Sequence, residues 1–332
     1  MGTHTTAQHF ELIDLHPAPT DVTKAVIDGL NRSPKQLPAW LLYDRQGSAL
    51  FDAICQQPEY TLTRLEKELL GTQAKAIAEA LPARALLVEF GAGSAEKVSP
   101  LLDAMHKPSY LAIDISAEHL KGAGTRLQQR HPSVPMLGIC ADYSQPLELP
   151  LPEAWQNKPM VGFFPGSSLG NFEPDAAINF LQRIRQLLGE KAQLLIGIDQ
   201  PREPALLEAA YDDKAGVSAA FAKNLLLRLQ RDLAIELDPE PFSYQAAWQP
   251  EHQRIAMALM ATSPQTWTVG ASSVSFSAGE VLITEYSYKY APSDFLALAA
   301  QAGWQAAKRW CDAADHFSLH LLTQGDDART NT

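Results

Sequence analysis

The sequence is poor in cysteine: Cys55, Cys140 and Cys311 are the only three in 332 residues, far apart and with no CxxC spacing. That excludes a disulfide framework or a cysteine-built zinc site and fits a reducing, cytoplasmic setting. No apolar run approaches the ~18 residues of a membrane-spanning helix, and the N-terminus lacks a charged-then-apolar leader. Met1-Gly2 followed by Thr6 formally matches a myristoylation pattern, but no polybasic stretch or second lipid site stands beside it. Positive charge is also in deficit. With 27 Lys and Arg against 38 Asp and Glu the net charge is −11, the wrong sign for a nucleic-acid binder. Repeats and low-complexity tracts are missing, and both ends, about ten residues at the front and Gly325 to Thr332 at the back, read as loose. What remains, 46% hydrophobic and 20% charged, describes an ordinary globular chain of two domains or one large α/β unit, expected to be monomeric.

The pattern changes along the chain. Residues 12 to 62 read as short helices and loops, and Thr63 with Glu66 three places on reads as a capping box. A helix is therefore expected from about Arg64 towards Ala80, ended by Pro82. From 85 to 200, apolar strands (85–90, 110–114, 136–140, 160–164, 193–199) alternate with helices (117–129 and 174–188), which predicts a parallel sheet covered on both faces. After Pro201 comes an α+β insert, with a helix over 216–233 and strands at 255–261, 273–276 and 281–290. A helix over 293–302 then stops at Gly303, and two antiparallel-looking strands, 306–311 and 316–323, close the chain.

In open α/β sheets the ligand sits beyond the carboxyl ends of the strands. Those ends carry Glu89-Phe90-Gly91-Ala92-Gly93, then Asp114, then Asp142, then Pro165-Gly166. Asp114 follows Gly93 by 21 residues, the spacing of an acidic residue that accepts ribose hydroxyls, and Asp142 suits an adenine amino group. A dinucleotide fingerprint would need a small residue where Glu96 stands, which weakens a pyrophosphate ligand. The E-x-G-x-G turn of Glu89, Gly91 and Gly93 suits S-adenosylmethionine instead, with Lys97 in reach of a ligand carboxylate. His316 and His320 share a strand face without suggesting a metal, and Cys140 reads as a small buried hydrophobe.

Longer stretches resemble a known family. The runs Tyr43–Phe51, Pro58–Arg64, Glu89–Lys97, Phe164–Phe172, Tyr211–Val217 and Thr284–Lys289 are similar to the histidine Nα-methyltransferases of ergothioneine biosynthesis, over most of residues 12 to 324. The resemblance implies a Rossmann-like class I methyltransferase sheet (64–200 and 291–326) with a second α+β substrate-binding unit (10–63 and 201–290). It implies three methyl transfers from S-adenosyl-L-methionine to the α-amine of L-histidine, giving hercynine. By motif position, Tyr43, Gly91, Gly93, Lys97, Asp114, Asp142 and Tyr143 would meet the cofactor. Tyr143 stands where a Phe often follows that Asp in the family. Tyr60, Gly166, Asn171, Tyr211, Met257, Glu285 and Ser287 would meet the amino acid.

Chemically, Asn171 and Tyr211 suit a carboxylate, Tyr60 an amine, and Glu285 with Ser287 the two ring nitrogens of imidazole, with Met257 lining the ring slot. Taken alone, Glu285 and Ser287 suit a solvated strand face, Met257 a core position, Tyr211 a packing residue and Asn171 a turn. No residue stands out as a strong base, so Tyr60 and Tyr43 are expected to orient the amine while its proton leaves to water. Three alternatives stay open: another aromatic amino acid such as Trp or Tyr as substrate, a nicotinamide-type oxidoreductase, and a non-catalytic nucleotide-binding protein.

Overall fold

A computed structural model describes residues 10–15, 22–143 and 145–325. The myristoylation pattern and most of the two ends expected to be loose lie outside the described residues.

The chain opens with β1 (Glu11–Asp14), α1 (Val22–Leu30), β2 (Lys35–Gln36), a 3-10 turn over Ala39–Leu42, α2 (Arg45–Ile54) and α3 (Thr61–Ala78). The alternating region follows as β3 (Leu86–Phe90), α4 (Ser99–Ala104), β4 (Ser109–Asp114), α5 (Ala117–Arg130), β5 (Met136–Cys140), β6 (Met160–Phe164), α6 (Pro174–Leu188) and β7 (Gln193–Asp199). The insert comprises α7 (Pro204–Tyr211), α8 (Val217–Leu233), β8 (Phe242–Gln249), β9 (Arg254–Ala261), β10 (Gln265–Val269), β11 (Ser272–Phe276) and β12 (Val281–Tyr288). Then come α9 (Pro292–Gln301), β13 (Trp304–Cys311) and β14 (Phe317–Gln324).

Eight strands form the large sheet, in the order β1-β5-β4-β3-β6-β7-β14-β13. The strands from β1 to β7 are parallel and β14 is antiparallel to both of its neighbours. Only β14 is therefore reversed; β13 and β14 pair antiparallel, as expected, so β13 runs with the rest. Strand order turns back on either side of β3, which makes its carboxyl end the switch point where a ligand fits. Both faces of the sheet's central strands are buried, so alternate residues of one strand serve opposite cores. Leu86, Val88 and Phe90 pack on one side and Leu87 on the other.

Two expectations for the first sixty residues fail. Residues 11–14 are not loop but an edge strand pairing with β5, and Phe10 just before it packs over Gly138. The capping box is not one either. Helix α3 starts at Thr61, three residues early, so Thr63 lies inside it and the helix has no side-chain cap. Glu66 turns into the core, where it is fully buried. In the insert, α7, β8 and β10 add to the expected elements.

A smaller sheet, β2-β12-β9-β8, stands beside the large one. Its register shifts between Ile283 and Glu285, so Glu285 lies opposite Met257. A one-residue bulge of this kind re-aims side chains without ending the pairing.

Candidate active site

Between the carboxyl ends of the large sheet and the face of β12 lies a cavity of ≈ 370 Å³. The nucleotide-end residues Gly91, Gly93, Asp114, Asp142 and Tyr143 line one part of it. Tyr43, Tyr60, Gly166, Asn171, Tyr211, Met257, Glu285 and Ser287 line the rest. Of the residues expected to meet cofactor or substrate, only Lys97 is not on its wall.

At the sheet end, Gly91 has φ +71°, and a Cβ there would come within 3.1 Å of the Tyr143 hydroxyl. The backbone can therefore hold that turn beside the tyrosine only without a side chain. Asp114 accepts the Gly93 amide at 2.8 Å through one oxygen and the Ser116 amide at 3.0 Å through the other. Each oxygen keeps a lone pair for the cavity. An open, glycine-lined turn, a fastened carboxylate and a second acidic residue at Asp142 are the donor and acceptor set for a nucleoside. A pyrophosphate would want a helix N-terminus at the turn. Here the next helix begins only at Ser99, beyond the Glu96 carboxylate. Glu89 of the same motif points away from the cavity and accepts the Tyr110 hydroxyl at 2.5 Å. Burial pushes its carboxyl up to about 8.

Several elements carry the opposite wall. Asp44 caps α2 by accepting the Gly47 amide at 2.7 Å and is tied to α8 by Asn224 and Arg231, each at 2.8 Å. This fixes Tyr43 immediately before it, with its ring edge-on to Phe51 and Phe221. Tyr60 stands at the start of α3, edge-on to Tyr211 at 5.7 Å. Tyr211 ends α7, where the Tyr244 hydroxyl holds its carbonyl at 2.7 Å. Burial raises both the Tyr43 and the Tyr60 phenols well above their ordinary range, so both remain neutral hydroxyls.

The turn after β6 brings Asn171 onto β12. Gly170 lies flat on that strand, where a Cβ would come within 2.5 Å of the Tyr288 carbonyl oxygen. Asn171 Nδ2 consequently donates to Glu285 Oε1 at 2.9 Å. Burial pushes the Glu285 carboxyl up to about 8, against the opposing pull of the Tyr43 hydroxyl and the Lys289 charge. Asn171 was expected to donate to a substrate carboxylate; one of its amide hydrogens is instead spent on Glu285.

Two buried ion pairs escape a sequence reading. Lys97 Nζ sits 2.7 Å from Glu66, whose two oxygens take the Gly166 amide at 2.8 and 3.0 Å. Burial disfavours the Lys97 ammonium, but Glu66 outweighs it and raises the pKa. Lys97, expected to reach a ligand carboxylate, thus stands behind the Gly166 wall. Lys289 Nζ sits 2.7 Å from Asp199 and reaches Tyr211 and Ser287. Asp199 was detectable as another acid ending a strand, and Lys289 as the third member of the alternating face Glu285, Ser287, Lys289. The cavity mouth adds Asp52 and His119, 3.8 Å apart. Away from the site, His320 bonds Ser318 at 2.8 Å, and burial lowers it to about 4. The Cys140 thiol is pushed up to about 12 by burial.

An eight-stranded sheet with one reversed strand, joined to a glycine turn and two acidic residues beyond the strand ends, fits an S-adenosylmethionine-dependent methyltransferase. The model for histidine-specific, SAM-dependent methyltransferases matches residues 22–324, and the chain belongs to that family. It is 36% identical over 306 residues to the histidine N-alpha-methyltransferase of Mycolicibacterium smegmatis, covering 89% of this chain and 92% of that protein. The Mycobacterium tuberculosis protein of the same name is 36% identical over 306 residues, covering 90% and 94% respectively. Ergothioneine biosynthesis protein 1 of Neurospora crassa is 29% identical over 330 residues, which span 95% of this chain but 36% of that protein.

Proposed function

We propose that this enzyme methylates the α-amine of L-histidine three times, yielding hercynine for ergothioneine synthesis. The observation that carries the reading is the single cavity in which Asp114 and the Gly91 turn face Tyr60, Asn171, Tyr211 and Glu285. In it, Asp114 takes the ribose hydroxyls, Asp142 the adenine amino group, and Tyr143 packs beside the adenosine. Glu285 and Ser287 take the two ring nitrogens, Met257 lines the ring slot, and Asn171 offers its second amide hydrogen to the substrate carboxylate. When bound, S-adenosylmethionine supplies a methyl group already activated by its sulfonium. The chain's own task is therefore placement, an orientational effect worth up to ~7–11 kcal/mol. Tyr60 and Tyr43, held neutral by burial, steer the amine lone pair by hydrogen bonding and do not act as bases; the proton departs to water past them.

The same reading makes the protein a cytoplasmic monomer with no nucleic-acid partner, in keeping with its three scattered cysteines and negative charge. Indole and phenol rings offer no second nitrogen, so the pairing of Glu285 with Asn171 favours histidine over tryptophan or tyrosine. Incubating enzyme and S-adenosylmethionine with a mixture of the standard amino acids, followed by mass spectrometry, tests this. The expected product is histidine heavier by roughly 42 Da, three methyl-for-hydrogen exchanges on a positioned amine. The same gain on tryptophan or tyrosine instead would overturn the substrate assignment.

A further inference from the structure

The Lys289 side chain is completely buried directly behind the cavity wall. An ammonium has three N–H donors and no acceptor. Here they reach Asp199 Oδ2 at 2.7 Å, the Tyr211 hydroxyl at 2.6 Å and the Ser287 hydroxyl at 3.0 Å. Asp199 is itself fixed by Arg202 at 2.6 Å, so the ammonium has no freedom to turn away.

This arrangement decides what the two hydroxyls can do. Both oxygens act as acceptors toward Lys289. They also lie 2.8 Å from each other, so one donates to the other and a single hydroxyl hydrogen is left. The serine oxygen has two full lone pairs and can accept from Lys289 and Tyr211 together. The phenol oxygen shares a lone pair with its ring and accepts a second bond poorly. Tyr211 therefore donates to Ser287, and the Ser287 O–H turns into the cavity that both residues line. Two residues back on the same face of β12, Glu285 offers its carboxyl.

We propose that Lys289 is a positioning residue that sets the hydrogen-bond polarity of Ser287, making the pocket demand an acceptor nitrogen on the substrate ring. Lys289 never touches substrate; it acts through Tyr211 and Ser287. The inference rests on histidine being the substrate and adds the source of its ring selectivity.

The test compares kcat/KM for L-histidine and for L-β-(2-thienyl)alanine, whose ring has no nitrogen. The enzymes are the wild type, Ser287→Ala, Lys289→Met and the double variant that combines them. Lys289→Met leaves Asp199 paired with Arg202 and so creates no lone buried charge, which would endanger folding. Lys289→Met should lose the preference for histidine by ~10-fold or more, the scale of an unmade buried hydrogen bond. The loss should fall mainly on KM, with S-adenosylhomocysteine affinity unchanged. In the double variant, adding Ser287→Ala should cost no further selectivity, because both changes remove the same donor. Full retention of the preference in Lys289→Met, or losses that multiply in the double variant, would overturn the proposal while leaving the substrate intact. A wild-type enzyme that favoured thienylalanine would overturn the substrate reading itself, and this inference with it.

Discussion

Glu66 and Gly166, 100 residues apart in sequence, are joined by two contacts, the glycine amide lying 2.8 and 3.0 Å from the two carboxylate oxygens. The same carboxylate neutralises Lys97 at 2.7 Å, so one side chain fixes both the loop after β6 and an ammonium behind the site. Removing it strands the lysine. Glu66→Ala is expected to destabilise the fold by about 3–5 kcal/mol, the usual cost of breaking a buried pair from one side. Lys97→Met leaves the fully buried Glu66 carboxylate without its counter-ion and with only the Gly166 amide to hold it, so a loss of similar size is expected. Urea denaturation of both variants checks this, and a Lys97→Met variant as stable as the wild type would show that the ion pair contributes nothing.

This pair also marks where sequence reading stopped. Strands β5, β6 and β7 and helix α6 fall on their expected residues because unbroken apolar runs between turn residues specify buried parallel strands locally. The residues of the cavity wall were legible because glycines and acids at strand ends have few other uses there. Glu66 was not, since its spacing from Thr63 imitates a cap and only the tertiary fold turns it inward. Strand β1 was missed for a similar reason: four residues carry too little pattern, and their partner lies over 120 residues away. Lys289 and Asp199 sit in runs that read as apolar strand and strand end, and their meeting depends on how the two sheets are set side by side.

Ring recognition should depend on the Glu285 carboxyl. Glu285→Ala leaves Asn171 without its acceptor and the substrate ring without one contact. A site built to hydrogen-bond a group loses heavily when that contact goes unmade. Histidine kcat/KM is expected to fall ~100-fold or more, the loss of selectivity against phenylalanine being of similar size. Affinity for S-adenosylhomocysteine, measured by calorimetry, should hardly move. A parallel collapse of both affinities would place Glu285 in a general structural role.

The Gly91 turn makes a sharper prediction for the cofactor. Alanine at this position meets φ +71° and the Tyr143 hydroxyl at 3.1 Å. Gly91→Ala is expected to weaken S-adenosylhomocysteine binding by ~10-fold or more and to lower stability by about 1–2 kcal/mol. Adding Tyr143→Phe removes the crowding but not the strained dihedral, so it should restore only part of the loss. Complete rescue would mean that the backbone angle costs nothing.

Tyr60 tests the orienting role. Its phenol is neutral and edge-on to Tyr211, and in the proposed reading it holds the substrate amine without acting as a base. Tyr60→Phe keeps the ring packing and removes only the hydroxyl. The expected result is a fall in kcat of ~10–100-fold, with mono- and dimethylated product accumulating, since each transfer needs the lone pair re-aimed. Quantifying the three methylation states by mass spectrometry over time decides it. Unchanged rates for all three would remove Tyr60 from the mechanism.

Glu89 gives the pH dependence of stability a definite sign. Burial raises its carboxyl from 4.5 to about 8 in the folded chain, whereas the unfolded chain keeps the ordinary value. Between those limits the folded state holds a proton that the unfolded state has released, so stability falls as pH rises, by up to ~1.4 kcal/mol per pH unit. The contribution is fully present below about pH 4.5 and lost as pH climbs through about 8. Glu285 is raised to a similar value and adds a slope of the same sign. Glu89→Gln keeps an acceptor for the Tyr110 hydroxyl but cannot ionise. Its Tm should therefore gain on the wild type steadily from pH 5 to 8 and then level off. A constant difference across that range would mean that the folded protein carries Glu89 ionised, and the Tyr110 hydroxyl would then be compensating a buried charge.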